Sequence, residues 1–283
     1  MIRIASMVGA PDLNMPTLAP FSGDLANACL QLKKMGFDGI ELMSRRPGLL
    51  DKTALKQCLA ENDLVLVGLC TGHLFAEDHL ELVPSTAEIN QQAFDRMREF
   101  IEAAAQLIGP GGMFNIGRSR GMGDPLRPQR TLDCLQEALQ QLADEAASFG
   151  VKLALEPISR SETNFIHSTQ DGLEMIRRVN RPNLGLNLDT YHMFREDVDP
   201  IASLHEAADV AWHIHFSDSN RRWPGSATIP FERVISALED IHYPGFVSLE
   251  IQPWPDPMSA AQNSIQHLRK LIAQMDDQRQ AWH

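Results

Sequence analysis

Four polar side chains in the second half of the chain have the types and the placement to hold a metal ion. Each ends, or stands next to the end of, a short apolar segment: Glu156 in VKLALE, Asp189 in LGLNLD, His215 in VAWHIHF and Glu250 in FVSLEI. Because side chains alternate between the two faces of a strand, the large apolar residues of each segment share one face and these polar residues share the other. Trp212, Ile214 and Phe216 are thus predicted to face away from His215.

Three carboxylates that converge on one point cannot all stay ionised unless a cation lies between them. Three oxygen donors and one imidazole suit Mn²⁺ first, with Mg²⁺, Co²⁺ or Zn²⁺ as alternatives, and the set offers no thiolate that would indicate a closed zinc site. Taken singly, each of these residues is more typical of a hydrogen-bonded group at a strand end than of a metal ligand. Four of them on the same face of their strands and at the same level of the sheet predict a metal site. His213 and Asn187, one layer deeper, are predicted to be hydrogen-bonded core residues or to support the ligands.

Eight short apolar segments alternate with longer amphipathic ones, which is the pattern of βαβ units around a parallel sheet. The predicted strands are residues 2–7, 37–43, 64–70, 112–117, 151–156, 184–189, 210–216 and 246–251. The predicted helices are residues 23–35, 51–62, 87–108, 129–149, 168–179, 230–241 and 259–275. The sixth unit leaves room for only a short helix, and residues 71–86 are predicted to form a long loop of the kind that covers substrates.

Eight such units in 283 residues predict an α/β fold, a single (β/α)8 TIM barrel that spans residues 1–283 as one domain. A doubly wound open sheet would give the same alternation and is the alternative. In a barrel, the bulky faces of the strands pack on the outer helices and the small or polar faces point inward. The four polar residues would then meet at the carboxyl-terminal mouth.

The charge balance narrows the class of partner. With 25 Lys and Arg against 37 Asp and Glu, the net charge of −12 repels nucleic acid and anionic membranes, so a small-molecule partner is favoured. The four cysteines are scattered without a CxxC pair, and no stretch has the signature of a signal peptide or a membrane span. We expect a cytoplasmic protein with free thiols.

The motifs LALEPISRSE, LNLDTYHM, HIHFSDSNRRWPG and VSLEI resemble those of the ketose 3-epimerases of the D-tagatose and D-psicose type, within the xylose isomerase-like TIM-barrel superfamily. The resemblance covers essentially the whole chain, and the spacings of 33, 26 and 35 residues between the four polar residues look like those of the epimerases. It implies a carbohydrate substrate, and Mn²⁺ bound by Glu156, Asp189, His215 and Glu250. It also implies that the two glutamates move protons. Epimerisation beside a carbonyl removes a proton from one face of a carbon and returns one to the other, so two acid/base groups must flank an enediolate that the metal stabilises.

Three further positions match substrate-binding residues of that family: Glu162 in SRSE, His192 in DTYH and Arg221 in DSNR. His192 and Arg221 would bind the oxygens at the carbonyl end of the substrate. The alternatives are a solvated carboxylate for Glu162 and a surface ion pair for Arg221. Glu41, at the end of strand two, and His73, in CTGH, are expected near the same mouth.

Strand four departs from the family pattern, because NIGRSRG places Arg118 and Arg120 just past the barrel mouth. A guanidinium there could receive a carboxylate or phosphate at the far end of the substrate, which would favour an acidic sugar or a sugar phosphate over a neutral ketose. Alternatively, these arginines tie down loops through hydrogen bonds to backbone carbonyls.

Other activities remain open at this stage. Aldose–ketose isomerases, including the hydroxypyruvate type, and inosose dehydratases use the same metal site and the same enediolate. Apurinic endonucleases share the superfamily but need a three-zinc cluster, and this chain lacks their Asp-x-His pair after strand seven and offers Asn115 without a histidine in strand four. A ligand-binding protein without turnover would not need both glutamates. The resemblance also implies a homo-oligomer, a dimer or a tetramer.

Overall fold

The computed structural model describes residues 2–15, 17–83 and 87–280. Within these ranges eight parallel strands close into a barrel, because the first strand pairs with both the second and the last. The barrel strands are β1 (Arg3–Gly9), β2 (Gly39–Met43), β3 (Val65–Cys70), β4 (Met113–Ile116), β5 (Lys152–Leu155), β6 (Leu184–Asp189), β7 (Ala211–Phe216) and β8 (Phe246–Leu249). A two-residue strand, Phe21–Ser22, pairs with the end of β1. The closing pair excludes an open sheet, so the predicted TIM barrel is confirmed.

The helices surround the barrel, and the seven predicted ones are present. In chain order the helices are α1 (Leu25–Met35), α2 (Lys52–Glu61), α3 (Gly72–Asp78), α4 (Ala87–Leu107), α5 (Pro128–Ala147), α6 (Thr169–Val179), α7 (Thr190–Glu196), α8 (Pro200–Glu206), α9 (Phe231–Asp240) and α10 (Pro257–Gln280). Capping carboxylates set several starts: Asp24 and Asp51 each accept a hydrogen bond from a backbone N–H in the first turn of α1 and α2. No helix in the described part of the chain is long and apolar enough to cross a membrane.

Two local predictions need correction. The segment 71–86, predicted as a loop, contains α3, and residues 84–86 lie outside the described residues. After β6 the chain forms two short helices where one was predicted, because two aspartates provide two caps. Asp189 accepts a hydrogen bond from the backbone of α7, and Asp199 accepts two from the backbone of α8.

The outward faces of the strands form the main core, as predicted. Leu153, Leu186, Ile214 and Val247 are fully buried there, in contact with apolar residues of the helices. Burying one such side chain stabilises the fold by roughly 1.5–3 kcal/mol. Since every strand contributes a row of these residues, the position of the polar inward row is fixed by the apolar outward row.

The predicted outward position of Trp212 is wrong. The β6–β7 register shifts between Leu186 and Asn187, so that Ala211 pairs with Leu186 while His213 pairs with Asn187, and Trp212 is the extra residue of a bulge. The bulge turns the indole toward Gly185, where a Cβ atom would lie only 2.3 Å from the ring. Gly185 is therefore required for this close approach, and the bulge brings His213 and His215 level with the polar row of β6.

Candidate metal centre and active site

The barrel brings the four predicted ligands together at its carboxyl-terminal mouth. Asp189 ends β6, and it pairs in register with His215 of β7. Glu156 and Glu250 each follow the last residue of their strand, β5 and β8, one residue beyond the observed strand end. One nitrogen or oxygen atom from each of the four side chains lies within 4.8 Å of the others, and all four residues are buried.

The carboxyl groups of this cluster compete for positive charge. Burial raises the pKa of Asp189 to about 7, although the charge of Arg221 opposes the rise. Burial also raises the pKa of Glu156. For Glu250, burial acts in the same direction, but the positive charges of Arg221 and His215 outweigh it and hold the pKa of the carboxyl well below its usual range. The pKa values of neighbouring carboxyl groups diverge in this way when the groups repel one another. A cation between them would relieve that repulsion.

The donor atoms fit a divalent cation. Glu156 Oε1 is buried and has no hydrogen-bond partner among the described residues, although it lies 3.3 Å from His215 Nδ1. Three carboxylates and one imidazole are a ligand set suited to Mn²⁺ or Mg²⁺. Cys70 lines the same cavity, but burial raises the pKa of its thiol well above the usual value, so the thiol stays protonated and adds no thiolate to the set.

Glu41 holds His215 from below. Glu41 Oε2 accepts hydrogen bonds from Nε2 of His215, at 3.0 Å, and from Nε2 of His213, at 2.7 Å. With its Nε2 directed at Glu41, His215 turns Nδ1 toward Glu156 and Glu250, at 3.3 and 3.6 Å. His213 is thus a hydrogen-bonded core residue. Sequence reasoning placed Glu41 near the mouth and missed these contacts, although the alternation along β2 indicates that Glu41 faces inward.

Arg221 joins two of the predicted ligands. Its Nη1 donates to Asp189 Oδ2 and, at 3.0 Å, to Ser217 Oγ, while its Nη2 donates to Glu250 Oε2 at 2.5 Å. The backbone at Arg221 is left-handed, with φ of 61°, which is uncommon for a residue other than glycine. The structure therefore places Arg221 in the site and not in a surface ion pair.

Asp218 shapes the loop that carries Arg221, and sequence reasoning did not single it out. Its carboxylate accepts hydrogen bonds from the backbone N–H groups of Gly225 and Ala227, both at 2.9 Å, and of Ile229, at 3.0 Å. A short polar side chain that binds several backbone N–H groups fixes a loop that has no regular structure. The Arg221 backbone is held by its own N–H, which donates to the Asp218 carbonyl at 2.8 Å, and by the Gln252 N–H, which donates to the Arg221 carbonyl at 2.8 Å.

His192, in α7, faces the cavity with a defined tautomer. Its Nδ1 accepts a hydrogen bond from the Ser159 backbone N–H at 3.2 Å and lies 2.8 Å from Ser159 Oγ. Because a backbone N–H can only donate, Nδ1 carries no proton, and in the neutral ring the proton is on Nε2. Burial lowers the pKa of His192 well below its usual value, which keeps the ring neutral. Glu162, half-buried after β5, lines the same cavity.

The two arginines after β4 differ in role. The Arg120 guanidinium is fully buried and donates to the backbone carbonyls of Gly117, Glu156, Phe165 and Ile166. It ties loops together, which was the alternative role predicted for these arginines. Arg118 lines the cavity, and its guanidinium lies over the Phe75 ring, 5.1 Å from the ring centre. Its Nε is buried without a hydrogen-bond partner among the described residues.

Six of the candidate residues line one cavity of about 180 Å³: Arg118, Glu156, Glu162, His192, Arg221 and Glu250. Asp189 and His215 are buried and are not among its lining residues. The segments that follow β4 to β8 provide most of its polar side chains, and Met43, Cys70 and Leu18 provide an apolar side. His73 of α3 also lines the cavity, and its Nε2 lies 3.2 Å from the Met15 backbone oxygen. A concave site with an apolar wall and a few converging polar groups is typical of small-molecule binding.

Comparison with known proteins agrees with this architecture. The family model described as "Xylose isomerase-like TIM barrel" matches residues 29–271. The chain is 26% identical over 230 residues to a ketose 3-epimerase of Arthrobacter globiformis, covering 77% of this chain and 74% of that protein. It is 27% identical over 252 residues to 3-dehydro-D-guloside 4-epimerase of Escherichia coli, covering 84% and 91%. The crystal structure of 3-keto-D-glucoside 4-epimerase from E. coli has the same fold, with a TM-score of 0.82 over 95% of this chain and 100% of that one, at 22% identity.

These matches confirm the resemblance that the four motifs indicate. The curated relatives are named as epimerases, which are enzymes of the isomerase class, and the prediction of an enzyme of this class is confirmed. The family match covers most of the barrel, from α1 into α10. The chain belongs to the xylose isomerase-like TIM-barrel family.

Proposed function

We propose that this protein is a divalent-metal-dependent epimerase of a ketose or a ketose derivative, and that it inverts C3, the carbon next to the carbonyl group. One observation carries the proposal: two glutamates from strands on different sides of the site, Glu156 and Glu250, approach the same nitrogen of His215 within a four-residue ligand group. An epimerase needs two acid/base groups at one carbon, and a passive binding site does not.

The ligand group would hold the cation through Glu156, Asp189, His215 and Glu250. When bound, a divalent ion, of which Mn²⁺ suits the donors best with Mg²⁺, Co²⁺ or Zn²⁺ as alternatives, supplies a Lewis acid that stabilises negative charge on the carbonyl oxygen. One glutamate takes the proton from the carbon on one face, and the other gives a proton to the opposite face. The two exchange roles when the reaction runs backwards.

Other side chains in the cavity would hold the substrate. His192 donates a hydrogen bond through Nε2–H to an oxygen at the carbonyl end, and Arg221 adds positive charge there. Glu162 accepts hydrogen bonds from substrate hydroxyls. Arg118 lies in the cavity wall formed by the turn after β4, beside α3, and would contact the far end of the substrate, where its charge favours a carboxylate or a phosphate.

A second candidate is epimerisation at C4 of a 3-keto sugar. The relative named as a 3-dehydro-D-guloside 4-epimerase aligns over 84% of this chain and 91% of its own length, a larger share than the 3-epimerase from A. globiformis. The chemistry at the site would be the same, since C4 is also next to the carbonyl carbon. Aldose–ketose isomerisation and inosose dehydration start with the same deprotonation. Isomerisation then returns a proton to the neighbouring carbon, whereas dehydration expels the hydroxyl group of the next carbon, which leaves as water. Phosphodiester cleavage is disfavoured by the net charge of −12.

Proton exchange with solvent tests the proposal directly. We would incubate the Mn²⁺-loaded protein with ketoses, 3-keto sugars, keto acids and their phosphates in D₂O, and follow the substrates by NMR after removing the metal. Deuterium at a carbon next to the carbonyl, with inversion at that carbon, is the expected result. Glu156→Gln and Glu250→Gln should abolish both, while Glu174→Gln, the same change on the exposed face of α6, should not. Turnover without deuterium incorporation in any substrate of the panel would exclude deprotonation by these groups.

We also propose a cytoplasmic location and a homo-oligomer, a dimer or a tetramer. The four cysteines are free, which agrees with a reducing compartment. The oligomer is supported by the family resemblance, and light scattering after size-exclusion chromatography tests it.

A further inference from the structure

The carboxylate of Glu41 lies one layer below the ligand group and is not part of it. It belongs to β2, where it pairs in register with Met7 of β1 and Gly68 of β3, and its side chain is 1% exposed. Like Asp189 and His215, Glu41 is buried and does not line the cavity. A buried carboxylate in such a place is costly unless its oxygens are hydrogen-bonded.

Glu41 meets that requirement with three donors from two strands. Its Oε2 accepts from His213 Nε2 at 2.7 Å and from His215 Nε2 at 3.0 Å, both in β7, and its Oε1 accepts from Asn115 Nδ2 of β4 at 3.2 Å. Both oxygens are engaged, so the carboxyl plane is held in one orientation. The orientation of Glu41 in turn determines that of the imidazole of His215.

The hydrogen bond of one imidazole nitrogen decides what the other nitrogen can do. Because a carboxylate can only accept, the His215 nitrogen that faces Glu41 must carry the proton, and this nitrogen is Nε2. Nδ1 is then the nitrogen with a lone pair available to a cation, and it is the one that faces Glu156 and Glu250. The Asn187 amide nitrogen also lies beside the ring, 3.2 Å from Nδ1 and 3.4 Å from Nε2, but Glu41 is the charged acceptor that requires the proton on Nε2.

The contact with Asn115 explains why residue 41 must be a glutamate and not a glutamine. Its Oδ1 accepts from the Thr71 backbone N–H at 3.3 Å, which directs its NH₂ group toward Glu41. A glutamine at position 41 could offer its one oxygen to the histidines only by turning its own NH₂ group against that of Asn115. Alternatively it could turn its NH₂ group toward the histidines and lose both acceptor bonds.

We propose that Glu41 is a positioning residue of the reaction, which fixes the tautomer and the ring orientation of His215 so that Nδ1 is available to the divalent cation. This inference rests on the proposed function, since it assumes a cation at the four-residue ligand group. Glu41 acts through His215 and touches neither substrate nor metal. Partners of this kind typically contribute a factor of about 10 to 100 in metal affinity.

The test compares Mn²⁺ binding by the metal-stripped wild-type protein, Glu41→Gln and a matched control, with free Mn²⁺ measured by EPR. The control is Asp38→Asn, because Asp38 directly precedes β2 and its carboxylate accepts hydrogen bonds from the Ile4 backbone and Arg269 at the other end of the barrel. We expect the dissociation constant to rise about 10- to 100-fold in Glu41→Gln and to stay within about threefold of wild type in Asp38→Asn. Thermal unfolding of each metal-free variant shows separately how much the fold is weakened.

A second measurement needs no variant and so does not depend on whether Glu41→Gln folds. In wild-type protein loaded with diamagnetic Mg²⁺ and labelled with ¹⁵N-histidine, we expect the His215 proton on Nε2, in slow exchange with solvent. A proton on Nδ1, or unchanged Mn²⁺ affinity in folded Glu41→Gln, would overturn the role of Glu41 and leave the proposed epimerase intact. Failure of the wild-type protein to bind any of Mn²⁺, Mg²⁺, Co²⁺ and Zn²⁺ would overturn the metal centre, and with it both proposals.

Discussion

The backbone N–H of Ser159 donates a hydrogen bond to Nδ1 of His192, at 3.2 Å. This contact joins the loop after β5 to the first turn of α7, and so it links the segments that follow Glu156 and Asp189. It also leaves Nε2–H as the only donor of the neutral His192 ring. A donor that is fixed before the substrate binds needs no reorganisation when charge develops on a substrate oxygen.

We therefore expect His192→Phe to lower kcat by a factor of about 10² to 10³, the typical effect of losing one such donor. His192→Gln, which can place an N–H near the position of Nε2, should retain more activity. Because the pKa of His192 is held well below its usual value, the ring stays neutral as pH rises through 6 to 8, and the wild-type profile should show no titration of this residue there. Mn²⁺ affinity should not change in either variant, and a parallel loss of affinity would contradict a role confined to the substrate.

Metal binding should stabilise the fold measurably. A ligand that binds only the folded state raises the free energy of unfolding by about 2.7 kcal/mol when its free concentration is 100 times the dissociation constant. We expect treatment with EDTA to lower the thermal midpoint and added Mn²⁺ to restore it. Asp189→Asn keeps an oxygen that can accept a hydrogen bond from the Tyr191 N–H and so cap α7, but it removes a charged ligand. This variant should therefore lose most of the stabilisation by Mn²⁺. A gain of wild-type size in Asp189→Asn would mean that the ion binds elsewhere.

Arg118 should discriminate between charged and neutral substrates. A hydrogen bond to a charged group is worth about 1.5–3 kcal/mol, so Arg118→Met should lower kcat/KM about 10- to 100-fold for a ketose with a carboxylate or phosphate at its far end. For a neutral ketose the change should be within about threefold. Arg118→Lys keeps the charge and should recover part of the loss. Unchanged kcat/KM for every active substrate would show that Arg118 does not contact the substrate.

Asp171 should make the stability of the barrel depend on pH. Its Oδ2 accepts hydrogen bonds from the backbone N–H groups of His167 and Ser168 at the start of α6, at 2.9 and 3.0 Å. Burial would raise the pKa of Asp171, but these hydrogen bonds outweigh it and lower the pKa. A lowered pKa adds stability that is complete above the unfolded value of about 3.9 and is lost as pH falls through the folded value.

We expect Asp171→Ala to cost about 1 kcal/mol at pH 7, because Asp171 is the N3 residue of the capping box whose N-cap is Ser168, and the loss of a capping interaction usually costs about this much. The difference from wild type should shrink as pH falls below the unfolded pKa, because the wild-type carboxyl is then protonated as well. Urea unfolding at several pH values measures it. A difference that stays constant down to the lowest pH at which both proteins fold would rule out the ionised carboxylate as its source.

The barrel and the clustering of four polar residues at its mouth could be predicted from the sequence because both depend on short-range alternation. The two faces of β6 can be read from the chain, since a strand with one apolar face has only one way to bury it. One face is Leu184, Leu186 and Leu188, and the other is Gly185, Asn187 and Asp189. The same reasoning placed His215. It failed for Trp212, because a bulge arises from the pairing of two strands and leaves no mark in the alternation of one strand.

Contacts between residues far apart in the chain were decided only by the tertiary structure. Glu41 and His215 are 174 positions apart, and closure of the barrel brings their side chains within 3.0 Å. Arg118 and Arg120 were equivalent in the sequence, yet one lines the cavity while the other binds four carbonyls. In a strand without a bulge, the sequence specifies on which face of the strand a side chain lies. The partner that this side chain meets depends on how all eight strands are staggered around the barrel, and no local pattern carries that information.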